Sequence, residues 1–287
     1  MIVKLIQPQG YCAGVTNAIK LAYKAKEDNP HQKIYILGKL VHNQSVTDEL
    51  TKAGIITLET ENEVETLNKL EAGDVIIFTA HGHDEKLDDI ARKKGLLIYD
   101  ATCPKVKSNL IKIKKEIENN HQVIYIGQKG HKETKAALSV SDNVSLYDTQ
   151  LLINYQLITD TNPLVINQTT LNFLALKDIH NDILSHIENA RIADEICDAT
   201  RKRQEAILNI DKDTDLVIIV GASYSSNTQK LVEISKTHLK DATTILVENL
   251  EELKKLDLSK YKKAAISSGA STPNYIVQEI YNYLLSK

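Results

Sequence analysis

The chain has 287 residues, of which 42% are hydrophobic and 25% are charged, a composition that is ordinary for a globular protein. The net charge of −3 argues against a nucleic-acid surface, and no apolar run approaches the length of a membrane span. The first residues, MIVKLIQPQG, are too short and too polar for a secretory signal. We therefore expect a cytoplasmic protein that binds neither nucleic acid nor membrane.

The chain has three cysteines, Cys12, Cys103 and Cys197. An odd number of thiols without an export signal argues against a disulfide framework, because cytosolic thiols stay reduced. The three residues are therefore core fillers, free thiols or metal ligands.

The predicted elements, taken in chain order, form a repeat. The first unit surrounds Cys12 and comprises an extended segment, a helix, a strand, a helix and a strand, at 2–7, 15–25, 34–37, 43–50 and 75–80. The second surrounds Cys103 and has an extended segment, a helix and two strands, at 96–102, 105–117, 123–126 and 164–168. The third surrounds Cys197 and follows the order of the first, at 191–196, 200–210, 216–220, 227–235 and 264–268.

The cysteines lie 91 residues (103 − 12) and 94 residues (197 − 103) apart, so each unit contributes one thiol. Strands that alternate with helices indicate parallel sheets covered on both faces. We predict an α/β fold of three similar modules with mainly parallel sheets, in a pseudo-threefold arrangement around a common centre. The modules would span 14–103, 104–197, and 198–287 plus 1–13. The alternative is one continuous doubly wound sheet with a coincidental cysteine spacing.

Polar residues gather just beyond the carboxyl ends of the predicted strands, where open α/β sheets bind their ligands. We expect these residues to line one cavity: His42, His81, His131, Glu133, Thr169, Ser225, Ser226, Asn227 and Ser271. The segments SYSSN (223–227) and GAS (269–271) precede predicted helices, and free N–H groups at a helix start bind anions. Together with three histidines, they indicate a small polyanionic ligand.

Each cysteine is predicted to lie at a turn before a helix, where the helix dipole favours the thiolate. The absence of a CxxC pair argues against a zinc ribbon, and four-cysteine ligation is impossible within one chain. Two metal readings remain: a zinc ion completed by His or water, and a cubane cluster with one iron that the protein does not ligate. Three buried core cysteines are the alternative without a metal.

The motifs GYCAGV (10–15), LVHNQ (40–44), TAHG (79–82), DATCPKV (100–106), GHKE (130–133), NQTTL (167–171), CDATRKRQEA (197–206), SYSSN (223–227) and SGAS (268–271) resemble the IspH/LytB family. That family reduces 4-hydroxy-3-methylbut-2-enyl diphosphate to isopentenyl and dimethylallyl diphosphates, the last step of the methylerythritol phosphate route to isoprenoids. The resemblance runs from about residue 10 to residue 282.

The resemblance implies three modules around a central [4Fe–4S] cluster held by Cys12, Cys103 and Cys197, with an open iron for the substrate's hydroxyl. It implies that the diphosphate is bound by the matching histidines, serines and asparagine: His42, His81, His131, Ser225, Ser226, Asn227 and Ser271. Glu133 would deliver a proton, assisted by Thr169 and His131, and reduced ferredoxin or flavodoxin would donate electrons.

Two other functions compete with this interpretation. One is a zinc hydrolase of a phosphorylated metabolite, with a zinc-bound water as the nucleophile. The other is a non-catalytic iron–sulfur sensor, against which the near-neutral charge and the lack of a DNA-binding helix pattern argue.

Overall fold

A computed structural model describes residues 1–151, 153–193 and 195–286. Three sequence expectations include residues outside these ranges: the extended segment 191–196 includes Asp194, the module 104–197 includes Leu152 and Asp194, and the third module ends at Lys287. Among the described residues, no helix is long and apolar enough to cross a membrane.

The elements alternate along the chain as the sequence predicts. Residues 1–100 contain β1 (Ile2–Leu5), α1 (Ala13–Asp28), β2 (Ile34–Leu37), α2 (Gln44–Lys52), β3 (Ile55–Leu58), α3 (Glu63–Asn68), β4 (Val75–Phe78), α4 (Lys86–Lys94) and β5 (Leu97–Asp100). The next stretch contains α5 (Pro104–Glu118), β6 (Val123–Gly127), α6 (Lys132–Leu138), β7 (Val144–Asp148), a 3₁₀ turn (Tyr155–Leu157), β8 (Leu164–Asn167), α7 (Phe173–His186) and β9 (Arg191–Ile192). The last contains α8 (Asp198–Leu208), β10 (Leu216–Val220), α9 (Ser226–His238), β11 (Thr243–Val247), α10 (Leu250–Lys254), β12 (Lys263–Ser268) and α11 (Asn274–Leu285).

These strands form three separate four-stranded sheets in which every described pair of neighbours is parallel. Their orders are equivalent: β3-β2-β4-β5, β7-β6-β8-β9 and β11-β10-β12-β1. The prediction of three α/β modules with parallel sheets is therefore confirmed, and the alternative of one continuous sheet is wrong. Strand β1 pairs with β12, which joins the start of the chain to its last sheet. The residue boundaries of the modules stay a prediction.

Helices cover both faces of each sheet, as the nearly continuous apolar central strands require. In the first sheet, Ile77 of β4 faces α1 and α2, whereas Ile76 and Phe78 face α3 and α4. All three side chains are at most 1% exposed. Burying an aliphatic side chain of this kind stabilises a fold by about 1.5–3 kcal/mol.

Three strands were not predicted from the sequence: β3, β7 and β11. Each lies at the edge of its sheet and pairs with one neighbour. Each of them mixes buried residues with half-buried or exposed ones, so the continuous apolar signal of the central strands is missing. Strand β4 ends at Phe78 instead of Ala80, because Thr79 and Ala80 already belong to the turn beyond it.

Candidate active site

Each cysteine is the residue that immediately precedes a helix: Cys12 before α1, Cys103 before α5 and Cys197 before α8. The Sγ atom of Cys12 accepts a hydrogen bond from the backbone N–H of Val15 at 3.5 Å. Pro104 occupies the first turn of α5, where its missing N–H costs nothing. The predicted position of all three thiols at helix starts is confirmed.

The three cysteines are held by equivalent backbone hydrogen bonds. The N–H of Cys12 donates to Ala270 O at 3.0 Å, that of Cys103 to Ala80 O at 3.0 Å, and that of Cys197 to Thr169 O at 3.1 Å. Each acceptor lies in the turn that follows a central strand, namely β12, β4 or β8. The same turns carry His81, Thr169 and Ser271, so each of these backbone bonds places a thiol next to a turn that holds a predicted polar residue.

One cavity of about 110 Å³ lies at the centre of this arrangement. The cavity is lined by all twelve site residues predicted from the sequence: Cys12, His42, His81, Cys103, His131, Glu133, Thr169, Cys197, Ser225, Ser226, Asn227 and Ser271. A larger neighbouring cleft of about 1010 Å³ shares His42, His131 and Ser226 with the cavity and is also lined by Lys129, Lys132, Lys230 and Lys236. The small cavity thus adjoins a broad cleft with a basic lining.

The three imidazoles form a cluster. The ring centroid of His42 lies 4.1 Å from that of His81 and 5.8 Å from that of His131. Burial, together with Lys132 and Lys39, lowers the pKa of His42 to about 4, and burial beside His42 lowers that of His131 to about 3. The pKa of His81 is also well below its usual value because of burial. These rings are neutral at pH 7 in the absence of an anion.

Hydrogen bonds constrain two of the imidazoles and leave the third ready for a ligand. His131 Nδ1 accepts from the backbone N–H of Glu133 at 3.2 Å, which places the ring proton on Nε2. His81 Nδ1 lies 3.3 Å from Thr79 Oγ1. His42 Nε2 is buried and has no hydrogen-bond partner among the described residues. A buried nitrogen of this kind is expected to meet a ligand or water.

Glu133 is a buried carboxyl at the start of α6, 3% exposed. Its Oε1 accepts from the backbone N–H of Thr169 at 2.9 Å and from the Tyr125 hydroxyl at 3.2 Å, and its Oε2 accepts from Thr169 Oγ1 at 3.0 Å. Burial raises the pKa of Glu133 to about 7, although these three hydrogen bonds act to lower it. The carboxyl can therefore hold a proton near neutral pH, as a general acid requires.

The start of α9 and the turn after β12 form the serine–asparagine wall of the cavity. Asn227 Nδ2 donates to Thr200 Oγ1 at 3.2 Å, and its Oδ1 accepts from the N–H of Ala270 at 3.0 Å. The Ser271 hydroxyl donates to the backbone oxygen of His42 at 3.0 Å. The Ser271 bond joins the third module to the first, whereas both Asn227 bonds lie within the third module.

The thiols share the cavity without converging on one point. A methyl group at Gly14 would lie 2.7 Å from Cys103 Sγ and 3.8 Å from Cys12 Sγ, so only glycine fits between these two sulfurs. Burial raises the pKa of Cys103, and the neighbouring thiolates add to this effect. Within 1–151, 153–193 and 195–286, no three His, Cys, Asp or Glu side chains are close enough to hold a single metal ion.

Sequence reasoning missed several polar residues around the site. Tyr125 lies inside β6, where its hydroxyl supports Glu133, and a tyrosine in a buried strand is a signal for such a partner. Gln168, within the quoted NQTTL motif, accepts from Gln128 N at 3.0 Å and donates to Ser226 Oγ at 3.2 Å. Thr170 and Thr200 also line the cavity.

The fold and the site define a three-module α/β protein with three thiols and a cluster of histidine, serine and asparagine side chains in one cavity. The family model described as "LytB protein" matches residues 3–285. The chain therefore belongs to the LytB family. It is 37% identical to a Shouchella clausii protein named 4-hydroxy-3-methylbut-2-enyl diphosphate reductase, over 99% of this chain and 90% of that one. A Macrococcus caseolyticus protein of the same name is 38% identical, over 97% and 87%.

Solved structures agree with this assignment. The reductase from Plasmodium falciparum, titled E-1-hydroxy-2-methyl-but-2-enyl-4-diphosphate reductase, superposes with a TM-score of 0.88 at 30% identity, covering 99% of this chain and 87% of that one. A second structure is titled (E)-4-hydroxy-3-methyl-but-2-enyl diphosphate reductase, the terminal enzyme of the non-mevalonate pathway. It superposes with a TM-score of 0.70 at 27% identity, and the match covers 100% of this chain and 100% of that one.

Proposed function

We propose that this protein is an oxidoreductase that converts 4-hydroxy-3-methylbut-2-enyl diphosphate into isopentenyl and dimethylallyl diphosphates. The reaction consumes two electrons and two protons, breaks the allylic C–O bond and releases the oxygen as water. The observation that carries this proposal is the single cavity, in which thiols, a protonatable carboxyl and an anion pocket meet in a LytB family member.

The donor set fits a [4Fe–4S] cluster better than a zinc ion. A mononuclear zinc needs its ligands at one ion, and among the described residues no three donors are that close. The corners of a cluster need separated thiolates, and Gly14 leaves open the space between Cys12 and Cys103. Cys12, Cys103 and Cys197 would hold the cluster, which when bound supplies the electrons and an iron with Lewis acidity.

The histidine, serine and asparagine side chains would bind the diphosphate. His42 Nε2 is a buried nitrogen without a described partner, and His131 presents Nε2–H when Nδ1 accepts the Glu133 N–H. Ser225, Ser226 and Asn227 form the start of α9, where free N–H groups and the helix dipole favour an anion. The lysines of the neighbouring cleft would attract the diphosphate towards this pocket.

Glu133 would deliver a proton to the substrate carbon skeleton or to the leaving oxygen. Its pKa of about 7 keeps a substantial protonated fraction at neutral pH, and a diphosphate nearby would favour that form further. Thr169 would orient both Glu133 and the substrate hydroxyl, since its own hydroxyl already bonds the carboxyl. His131 is coupled to Glu133 because its Nδ1 accepts a hydrogen bond from the backbone N–H of Glu133.

Electrons would come from a reduced ferredoxin or flavodoxin, because the product requires two reducing equivalents. A cytoplasmic location suits three free thiols, which a reducing compartment preserves.

The test is a stopped assay with anaerobically reconstituted protein, dithionite as the reductant and the hydroxylated diphosphate as the substrate. We expect both isoprenoid diphosphates and no product when the reductant is omitted. Release of phosphate without a reductant would favour the zinc hydrolase, and the absence of turnover by iron-replete protein would favour the sensor.

A further inference from the structure

Arg203 is a buried cation that lies near the thiols. It takes no part in the cluster ligation, diphosphate binding or proton delivery proposed for the other residues. It lies in α8, the helix that begins after Cys197, and only 2% of the residue is exposed. Arginine is among the residue types that are almost never fully buried unless they are paired.

The guanidinium group connects the segments that carry two of the cysteines. Its Nη1 donates to Ala199 O at 3.0 Å, which turns the side chain back towards the start of α8 and Cys197. Its Nη2 donates to Gly10 O at 2.6 Å, two residues before Cys12. Its Nε is buried and has no partner among the described residues.

The charge of Arg203 lacks a carboxylate partner in the part of the chain that the structure describes, where no Asp or Glu oxygen lies within 4.0 Å. Burying an unpaired ion costs several kcal/mol, so a compensating charge is needed close by. Burial lowers the pKa of Arg203, and Cys12 and Cys197, when ionised, are the groups that oppose this lowering.

We propose that Arg203 is the counter-charge of the Cys12 and Cys197 thiolates and raises the reduction potential of the cluster that they hold. This inference rests on the proposed function. Each electron that enters a buried centre adds one negative charge, so a fixed cation nearby stabilises the reduced form more than the oxidised form. Net charge, hydrogen bonds to the sulfurs and solvent exposure set the potentials of such clusters. Arg203 is thus a positioning and tuning residue that acts through the thiolates.

The test is an anaerobic redox titration of the reconstituted protein, followed by the visible spectrum and electron paramagnetic resonance. Arg203→Gln removes the charge and keeps a hydrogen-bond donor, whereas Arg203→Lys keeps the charge. Lys202→Gln, at an exposed position of the same helix, is the matched control for the loss of one positive charge. We expect a more negative midpoint potential for R203Q, a potential near the wild-type value for R203K, and no shift for K202Q because solvent screens that charge.

An R203Q variant with a full complement of iron and the wild-type potential would overturn the inference. If R203Q does not retain its cluster, R203K decides: iron retention at the wild-type potential supports the charge, whereas loss of the cluster or a lowered potential refutes it. Wild-type protein that binds no cluster would instead overturn the proposed function, and this inference with it.

Discussion

The most informative single substitution is Glu133→Gln, because it replaces an ionisable buried carboxyl by a neutral group of the same shape. The pKa of Glu133 is raised from 4.5 to about 7. A shift of about 2.5 units corresponds to about 3 kcal/mol against the ionised form at 1.36 kcal/mol per unit. Below pH 4.5 the carboxyl is protonated in both states and the folded protein carries no penalty; as the pH rises from 4.5 to about 7 the folded state loses stability, and above pH 7 the loss is complete.

The assay is an infrared titration of the folded, anaerobic protein. We expect a carbonyl band from a protonated carboxylic acid that disappears with a midpoint near pH 7 and that is missing in E133Q. The glutamine can still accept from the Thr169 N–H and the Tyr125 hydroxyl, so the variant should retain its cluster. Turnover of the wild type should fall as the pH rises through about 7, and E133Q should lose most turnover at every pH.

Glu195 provides a matched control. It too is buried, but hydrogen bonds from Lys105 and Lys112 outweigh burial and lower its pKa. Glu195→Gln should therefore leave the carbonyl band near neutral pH unchanged. A wild-type protein without a titrating carboxylic band above pH 5, or an E133Q variant with nearly full activity, would refute the proton-delivery argument.

Three further predictions follow from the packing and charge of the site. Binding of inorganic diphosphate should take up protons, because the neutral His42 and His131 gain charge beside the anion. Calorimetry in buffers of different ionisation enthalpy should show this proton uptake, and the affinity should fall as the pH rises. Identical binding enthalpies in all buffers would contradict it. Gly14→Ala should reduce iron retention without loss of helix content, since the added methyl meets Cys103 Sγ at 2.7 Å. Asn17→Ala, on the exposed side of α1, should retain iron, and equal iron content in the two variants would contradict the fit of the cluster beside Gly14. Ile77→Ala should lower the free energy of unfolding by about 2–5 kcal/mol, measured by urea denaturation, and a loss below 1 kcal/mol would mean that the core collapses around the gap.

The sequence was sufficient for the central strands and for the residues at their ends. Fully buried strands such as β4 and β10 produce continuous apolar runs, and the turns after them carry the polar residues that line the cavity. The edge strand β3 escaped prediction because Ile56 is 45% exposed and the strand pairs on one side only. Local pattern cannot reveal pairing that depends on a distant neighbour.

Charged residues with roles inside the fold were the least predictable. Arg203 belongs to a short basic run at helical spacing, which alone does not distinguish a buried position from a surface position. The basic run at 112–115 has the pattern of a solvated helix face, yet Lys112 pairs with the buried Glu195. Arg203 contacts Gly10 and Lys112 contacts Glu195, and in both pairs the partners are far apart in the sequence, so three-dimensional packing and not local pattern brings them together.

The central claim is that three thiolates hold a cluster directly beside the diphosphate pocket. The measurement that tests it is the electronic spectrum of anaerobically reconstituted protein with and without the hydroxylated diphosphate. We predict a brown protein with about four irons per chain, whose visible absorption changes on saturation with this compound and is lost in Cys197→Ser. A colourless protein with one zinc, or a cluster spectrum that saturating substrate leaves unchanged, would contradict the account.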